Sequence, residues 1–586
     1  MKTSILLPFE LYKHINKKRK KQLLITLILM FLSGITELLV INSVVPFIAS
    51  IANPKVLNNL EITKFIAKIF AINPNEGSAP FIVFFALTIV LSAFLRISTV
   101  FLINRVSALV GNDISVKTFY KNISQPYEYH LKNSSSKLIT QNTTYVGYSL
   151  AAFSGFLFLI YFSCLTILLS IGLILISPVL TIYSILIFSI IYLVLGKTFK
   201  KIIKDSGKKR SFSDQIKVKT LNESLGSIRN LILESNHYLY INKFKIHDLN
   251  SRIITANNSI LSTSPKYIIE ALGLLFIIFA SVVLMKAGNS SSSSVIISLG
   301  AFTLGIQKLL PAFQGIYAVI NQIRFYSSDL ENTLKYLQIK LENNNGNNIT
   351  PLNFKKSIRF DSIYFSYDEE KYVVSNFNFE IFKGQKIGII GRTGSGKTTI
   401  SDLFMGLLKP TKGKIYIDGK DIYDKKYPNR IKRWRRSISH VPQDIFLSDT
   451  TIAENIAFGI DKELISLRKL KECAKKAQIH EFIVSTKDGY LTTVGERGVR
   501  LSGGQLQRIA IARALYRNAK ILVFDEATSA LDKNTEIELM QAINKLSNEL
   551  TIISIAHNHR TLKDFDRIIK VEKGNIFEIR KNELSI

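Results

Sequence analysis

The sequence predicts two folded parts in one chain: an α-helical transmembrane half with six spans, followed by an α/β half. Three observations carry that expectation. At 586 residues the chain is too long for one compact core. Up to about Asn321 it is dominated by long Ile, Leu, Phe and Val runs. From Arg359 onward, short apolar strands alternate with charged helical stretches. The boundaries drawn from this shift are 1–330 for the membrane half, 331–356 for a linker and 357–586 for the α/β half.

Crossing the hydrocarbon core takes roughly 20 apolar residues in a helix. Segments near 23–51, 80–110, 149–176, 178–196, 267–287 and 295–322 meet that requirement. The third and fourth are separated only by a tight turn at Ser177-Pro178. Lysine and arginine crowd the N-terminus, the 112–147 loop and the 197–260 loop, whereas the connections at 53–78, Ser177 and 288–294 carry few. The positive-inside rule then puts both termini in the cytoplasm, and an even number of spans agrees. The two long inner loops are the natural place for helices that reach the α/β half, with Gln125 to Leu131 and Glu223 to Asn230 as the expected contacts. Ile62, Phe65, Ile66, Ile69 and Phe70 fall at helical spacing, which suits either a helix at the membrane surface or a lid packed on its own protein. Ser290 to Ser294 reads as a flexible outer loop.

The formal charge of +32 raises the question of nucleic acid. With hydrophobic spans present, Lys- and Arg-rich inner loops account for it, and no nucleic-acid partner is expected. Cys164 and Cys473 are the only cysteines, so no disulfide framework is implied. The first apolar run follows Lys17-Lys18-Arg19-Lys20-Lys21, is too long for a cleavable signal and lacks a small-residue cleavage site, so it reads as a retained span.

Three motifs in the α/β half bear on phosphate chemistry. Gly391-Arg392-Thr393-Gly394-Ser395-Gly396-Lys397-Thr398 follows an apolar strand and precedes a helix that begins near Thr398 and Thr399. Its glycines let backbone N–H groups wrap phosphates, Lys397 neutralises β and γ oxygens, and the Thr398 hydroxyl is placed for Mg²⁺. Ile521 to Phe524 is an apolar run ending in Asp525 and Glu526, the form of a buried strand whose C-terminal end meets ligand. Asp525 would support Mg²⁺ and Glu526 would polarise the attacking water. Ser502-Gly503-Gly504-Gln505, just before a helix, makes a second anion site without a lysine of its own. Two anion sites and one catalytic carboxylate suggest that a second copy completes each pocket.

These residues resemble those of the ABC transporter ATPases over about Arg359 to Glu578, and six preceding spans resemble the type IV exporter half-transporter. The resemblance implies ATP and Mg²⁺ as cofactors, a homodimer, and ATP hydrolysis coupled to export. It further implies that Tyr367 stacks on adenine, that Gln443 senses the γ-phosphate and joins the Mg²⁺ shell, and that His557 contacts the γ-phosphate. Ser529-Ala530-Leu531-Asp532 resembles the loop that crosses the dimer, and Val494 to Gly498 the short exporter motif that touches the intracellular loops. Asn558 and His559 depart from the family pattern, which usually has Arg then Leu after the histidine.

More loosely, the membrane half resembles the flippases for lipid-linked oligosaccharides. Its cues are Glu37, Val45-Pro46-Phe47, the outer amphipathic stretch and Gly305 to Pro311. Arg96, Lys266 and Lys308 are ionisable residues within apolar spans and so candidates for contact with substrate. Counting about 1.5 Å per residue, all three fall in the cytoplasmic half of their spans, where they would hold an anionic lipid-linked head or instead pair with Glu37 and Glu270. A drug, ordinary lipid or peptide exporter is the alternative reading, since the same fold serves all of these. A nucleotide-binding regulator that does not pump is disfavoured by the presence of both Glu526 and Ser502. The expected location is a bacterial inner membrane, with membrane lipid as a partner.

Overall fold

The computed structural model describes residues 4–52, 79–286, 292–339, 341, 349–368, 371–427, 429–526, 550–556, 562–572 and 574–579. The chain divides into two compact units, the first Met1–Gln125 with Tyr129–Asn343, the second Pro126–Glu128 with Asn344–Ile586.

The first unit is helical. Helices α1 (Lys17–Ala52), α2 (Ala79–Ile123), α3 (Val146–Ile176), α4 (Pro178–Gly226), α5 (His237–Thr263), α6 (Pro265–Lys286) and α7 (Ser292–Phe325) include all of the apolar segments read from the sequence. Among the described residues, five helical stretches are long and apolar enough to cross a membrane. Their outward faces remain apolar and uncovered: Leu91, Phe94, Ile97 and Phe101 on α2 are all exposed. In water such a face would drive aggregation, whereas in lipid it is the required solvent-matching surface. On the inward faces, Phe153, Leu157, Tyr161 and Leu165 of α3 join Phe302, Ile306 and Leu309 of α7 in one buried cluster.

Between α3 and α4 the chain turns at Ser177, with φ −150° and ψ 89°. Pro178 starts α4, where its missing N–H has no intrahelical partner to lose. The 197–260 region is mostly helical, because α4 runs on to Gly226 and α5 follows. Gly207 shows why the extension packs closely: a Cβ there would come within 2.0 Å of the Phe325 carbonyl oxygen at the end of α7. Helix α8 (Ser327–Gln338) runs past the expected boundary at 330, so the first part of the 331–356 linker is ordered helix. Leu330, Leu334 and Leu337 lie at i, i+4 and i+7, and all three are buried.

The second unit is α/β and holds two sheets. One is antiparallel, in the order β2 (Val374–Phe382), β1 (Ser357–Phe365), β4 (Lys412–Ile417), β5 (Lys420–Asp421). The other runs in the order β10 (Asn575–Ile579), β9 (Arg567–Glu572), β3 (Lys386–Gly391), β8 (Thr551–Ile555), β7 (Ile521–Asp525), β6 (Ile438–Val441). Strands β9, β3, β8, β7 and β6 are mutually parallel, and β10 closes one edge as an antiparallel partner of β9. Every residue of β7 and β8 is buried, as their unbroken apolar runs demand when both faces are covered. Helices α9 (Lys397–Met405), α10 (Arg430–Arg436), α11 (Leu467–Lys476) and α12 (Gly503–Tyr516) complete the parts used below.

Candidate nucleotide site and membrane charge cluster

Parallel strands put their C-terminal ends on one side of a sheet, and ligands of such sheets bind there. Strand β3 ends at Gly391, β6 is followed by Pro442 and Gln443, and β7 ends at Asp525 with Glu526 next. The topology therefore brings three motifs, far apart in sequence, to one sheet end.

The loop after β3 turns into α9 through Gly396, whose φ of +105° is a conformation that side chains with a Cβ rarely adopt. This leaves the first-turn N–H groups of α9 at the loop, where they and the helix dipole favour an anion. Lys397 is 6% exposed, and its ammonium donates to the carbonyls of Gly391 (2.8 Å) and Arg392 (3.2 Å). Within the same loop the buried Ser395 Oγ has no hydrogen-bond partner among the described residues. A cationic lysine, an orphaned hydroxyl and a helix N-terminus are what a nucleotide phosphate would satisfy, so the residues present fit ATP. Thr398 is exposed, while Thr399 is buried and its hydroxyl meets the Tyr367 hydroxyl at 3.2 Å.

Asp525 is 7% exposed. Burial raises its carboxyl above the ordinary range, the Glu526 charge adds to this, and Lys397 opposes it. Asp402 on α9 is pushed up to about 6 by burial and then by Asp525. Two buried carboxyls beside one lysine make a site short of positive charge, which suits the Mg²⁺ that would be held by Asp525 and Thr398. Glu526 adopts φ +49°, and its N–H donates to the Ile555 carbonyl at 3.0 Å. The Gln443 Nε2 donates to Glu526 Oε2 at 2.8 Å, joining the ends of β6 and β7.

At the start of α12, Ser502 Oγ accepts from the Gln505 N–H (3.3 Å), while the Gln505 side chain accepts from the Ser502 N–H (2.9 Å). This reciprocal cap fixes the helix start, with Gly503 and Gly504 forming its first turn. His557, the Ser529–Asp532 loop and the Ile62–Phe70 stretch lie outside the described residues.

In the first unit, Glu37 is 3% exposed and accepts from three donors. Its partners are Lys308 Nζ at 2.6 Å, Ser92 Oγ at 2.8 Å and Arg96 at 3.2 Å. Arg96 and Lys308 are thus brought together, on α2 and α7, by a carboxylate on α1. Lys266 lines a cavity of about 310 Å³ with Glu270, Gln307, Gln314 and Tyr192. A second buried cluster went unseen in the sequence. Arg210 is 1% exposed, stacks on the Tyr148 ring at 3.8 Å, and pairs with Asp214 (3.1 Å) and with Asp329 of α8.

Fold and site together define an α/β ABC ATPase domain joined to a helical, exporter-type membrane domain. Comparison with known proteins agrees: the model of the family described as ABC transporter matches residues 374–529. The heterocyst differentiation ATP-binding protein HepA of Nostoc sp. is 37% identical over 301 residues, 49% of this chain and 48% of that protein. The leukotoxin translocation ATP-binding protein LktB of a Pasteurella haemolytica-like species is 47% identical over 229 residues, 39% of this chain and 32% of LktB. The ATM1-type heavy metal exporter of Novosphingobium aromaticivorans is 40% identical over 224 residues, covering 38% of this chain and 36% of the exporter. The chain thus spans about half or less of the length of these curated relatives. A solved bacterial Atm1-family ABC exporter with ATP bound superposes with a TM-score of 0.77 over 96% of both chains at 22% identity, a likeness of fold.

Proposed function

We propose that this chain is half of an ATP-driven exporter that works as a homodimer in a bacterial inner membrane, with both termini and the ATPase domain in the cytoplasm. ATP bound at the loop around Lys397 is attacked by water oriented by Glu526, Mg²⁺ is held by Thr398, Asp525 and Gln443, and Ser502 of the second copy closes the pocket. The substrate is an amphipathic anion, most simply a lipid-linked oligosaccharide or a related glycolipid. The observation that carries this substrate class is the Glu37 cluster, in which two cations share one carboxylate and leave one net positive charge within apolar helices. Arg96 is 54% exposed and Lys308 34%, so both cations remain reachable while Glu37 is enclosed. With Lys266 they would hold a phosphate or pyrophosphate head. A heavy-metal exporter and a leukotoxin-translocation protein among the relatives keep a drug, lipid or peptide cargo as the second reading.

The test is flipping of an anionic lipid-linked glycan in proteoliposomes. Changing Arg96, Lys266 and Lys308 together to Gln should lower flipping while basal ATP hydrolysis persists. Because the triple change also strands Glu37, adding Glu37→Gln restores local neutrality and separates charge recognition from an unpaired buried carboxylate. Unchanged flipping by both variants would refute the substrate role.

A further inference from the structure

The second unit contains another cavity, of about 490 Å³, whose lining includes no residue of the phosphate loop and none of the Ser502 cap. Strand β6 contributes Ser439 and His440, the end of α10 contributes Arg436, α11 contributes Lys469, and α12 with the residue after it contributes Arg513 and Arg517. Four cations line one concavity, and none of the described residues lining it is acidic. Its size lies within the roughly 300–1,000 Å³ typical of small-molecule sites.

Two of the cations are already committed. Arg513 donates to the Asn455 carbonyl (2.8 Å), the Phe446 carbonyl (3.0 Å) and the Asn455 side chain (3.1 Å), so its charge is fixed in the wall. Lys469 Nζ lies 4.7 Å from the centre of the Tyr516 ring. Among the described residues, Arg436 and Arg517 have no side-chain hydrogen bond or ion pair, and both residues are exposed to solvent. Partial desolvation of the guanidinium and then the charge of Arg436 hold Arg517 below its ordinary value.

Two polar atoms of the wall also lack partners. Ser439 is 2% exposed and its Oγ has no hydrogen bond among the described residues, and His440 Nε2 likewise has none. Burial lowers His440 to about 4, so its ring is neutral at pH 7 and offers a hydrogen bond without adding charge. Orphaned buried polar atoms are costly, and a ligand that satisfies them while neutralising two unpaired guanidiniums gains on both counts.

We propose that this cavity binds a soluble phosphate ester carrying two or more negative charges, and that its occupancy regulates ATP hydrolysis. Arg436 and Arg517 grip the phosphate oxygens as paired forks, while Ser439 and His440 take the remaining hydrogen bonds. The link to hydrolysis is structural. Strand β6, which carries Ser439 and His440, leads directly to Gln443 and its bond to Glu526, and α12, which carries Arg513, begins at the Ser502 cap. Two of the elements that wall the cavity, β6 and α12, therefore connect directly to groups of the nucleotide site.

The experiment uses the full chain in nanodiscs of neutral lipid, with a non-hydrolysable ATP analogue at saturation and fructose 1,6-bisphosphate as the calorimetric titrant. Saturable binding is expected, weakened by about tenfold or more in Arg436→Gln/Arg517→Gln and retained in Lys397→Ala. Hydrolysis of ATP by the parent should shift on addition of the bisphosphate, and that of the double variant should not. Absence of binding up to about 10 mM, far weaker than ordinary metabolite sites, would overturn the proposal. So would equal binding by parent and double variant, or loss of binding in Lys397→Ala, which would put the anion in the phosphate loop. Binding without any change in hydrolysis would remove the regulatory role. If the double variant unfolds early, Arg517→Gln and Ser439→Ala tested singly should each still weaken binding, and full affinity in both would overturn the site.

Discussion

Replacing Glu526 with Gln tests the assigned chemistry most directly, because the structure separates what the side chain holds from what it does. Its backbone is fixed by the N–H bond to Ile555 and by a left-handed φ of +49°, neither of which depends on the terminal group. Its Oε2 accepts from Gln443 at 2.8 Å, and an amide oxygen can accept the same bond. Fold and local geometry should therefore survive. What disappears is a negative charge able to orient and polarise water, a contribution worth about 10²- to 10⁴-fold, or about 3–5 kcal/mol of barrier. Removing that charge also relieves Asp525, whose carboxyl is raised by burial first and by Glu526 second. Asp525 then ionises more readily, so Mg²⁺-dependent ATP binding should be unchanged or tighter. The assay is phosphate release by purified protein, paired with nucleotide affinity measured by equilibrium binding. A variant hydrolysing within about fivefold of the parent, less than any base contribution of that size, would refute the role of Glu526.

Two further outcomes follow from the same site. Chains carrying Lys397→Ala mixed with chains carrying Ser502→Arg should regain part of the ATPase activity that each lacks alone, because one composite pocket of the mixed dimer is then intact; no recovery in proven mixed dimers would count against pockets shared between copies. Asp402, 8% exposed, is raised from 3.8 to about 6, so folding favours its neutral form: the penalty is absent below pH 4, grows to pH 6 and is complete above it. Asp402→Asn should therefore stabilise nucleotide-free protein at pH 7.5 by about 3 kcal/mol and leave it unchanged near pH 4, and a melting-temperature gain equal at both pH values would contradict the assignment.

The parts legible in the sequence were those written locally. An apolar run of span length needs no partner to be recognised, and the phosphate loop and the Asp525-Glu526 pair occupy a few consecutive residues each. The strands ahead of the phosphate loop and of Asp525 were read from their own apolar runs, whereas their convergence with β6 at one sheet end comes from the topology. What was hidden depends on contacts between distant residues. Glu37 meets Arg96 and Lys308 across separations of 59 and 271 residues, and pairing was only an alternative in the sequence. Helix α8 is short and rich in polar residues, and the boundary expected at 330 cut through its three-leucine stripe, leaving Leu334 and Leu337 in the linker. Arg210 closes a run that includes Lys208 and Lys209, and nothing in its neighbours distinguishes a buried guanidinium from solvated lysines. The basic cavity was equally invisible, since its cations come from three helices and the residue after one of them.

Arg210 also bears on how the first unit holds together. Its guanidinium reaches Asp214 on its own helix and Asp329 on α8, 119 residues away, while the rings of Tyr148, Phe325 and Tyr326 lie within 5.2 Å of it. Asp214 is further tied to Ser251 of α5 (2.7 Å) and to Lys217 (2.8 Å). Burial pushes Asp329 up to about 6, against the opposing pull of Arg210 and of a hydrogen bond with Ser211. Separating α8 from α4 would leave Asp329 without its guanidinium and Arg210 with Asp214 alone, a cost of about 3–5 kcal/mol for one such broken pair. An apolar contact of the same size would slide at little cost, because methyl groups have no preferred partner. A buried ion pair has one register only, so this cluster ties α8 to α4 in a single alignment, and the Ser251 hydrogen bond to Asp214 adds α5 to it.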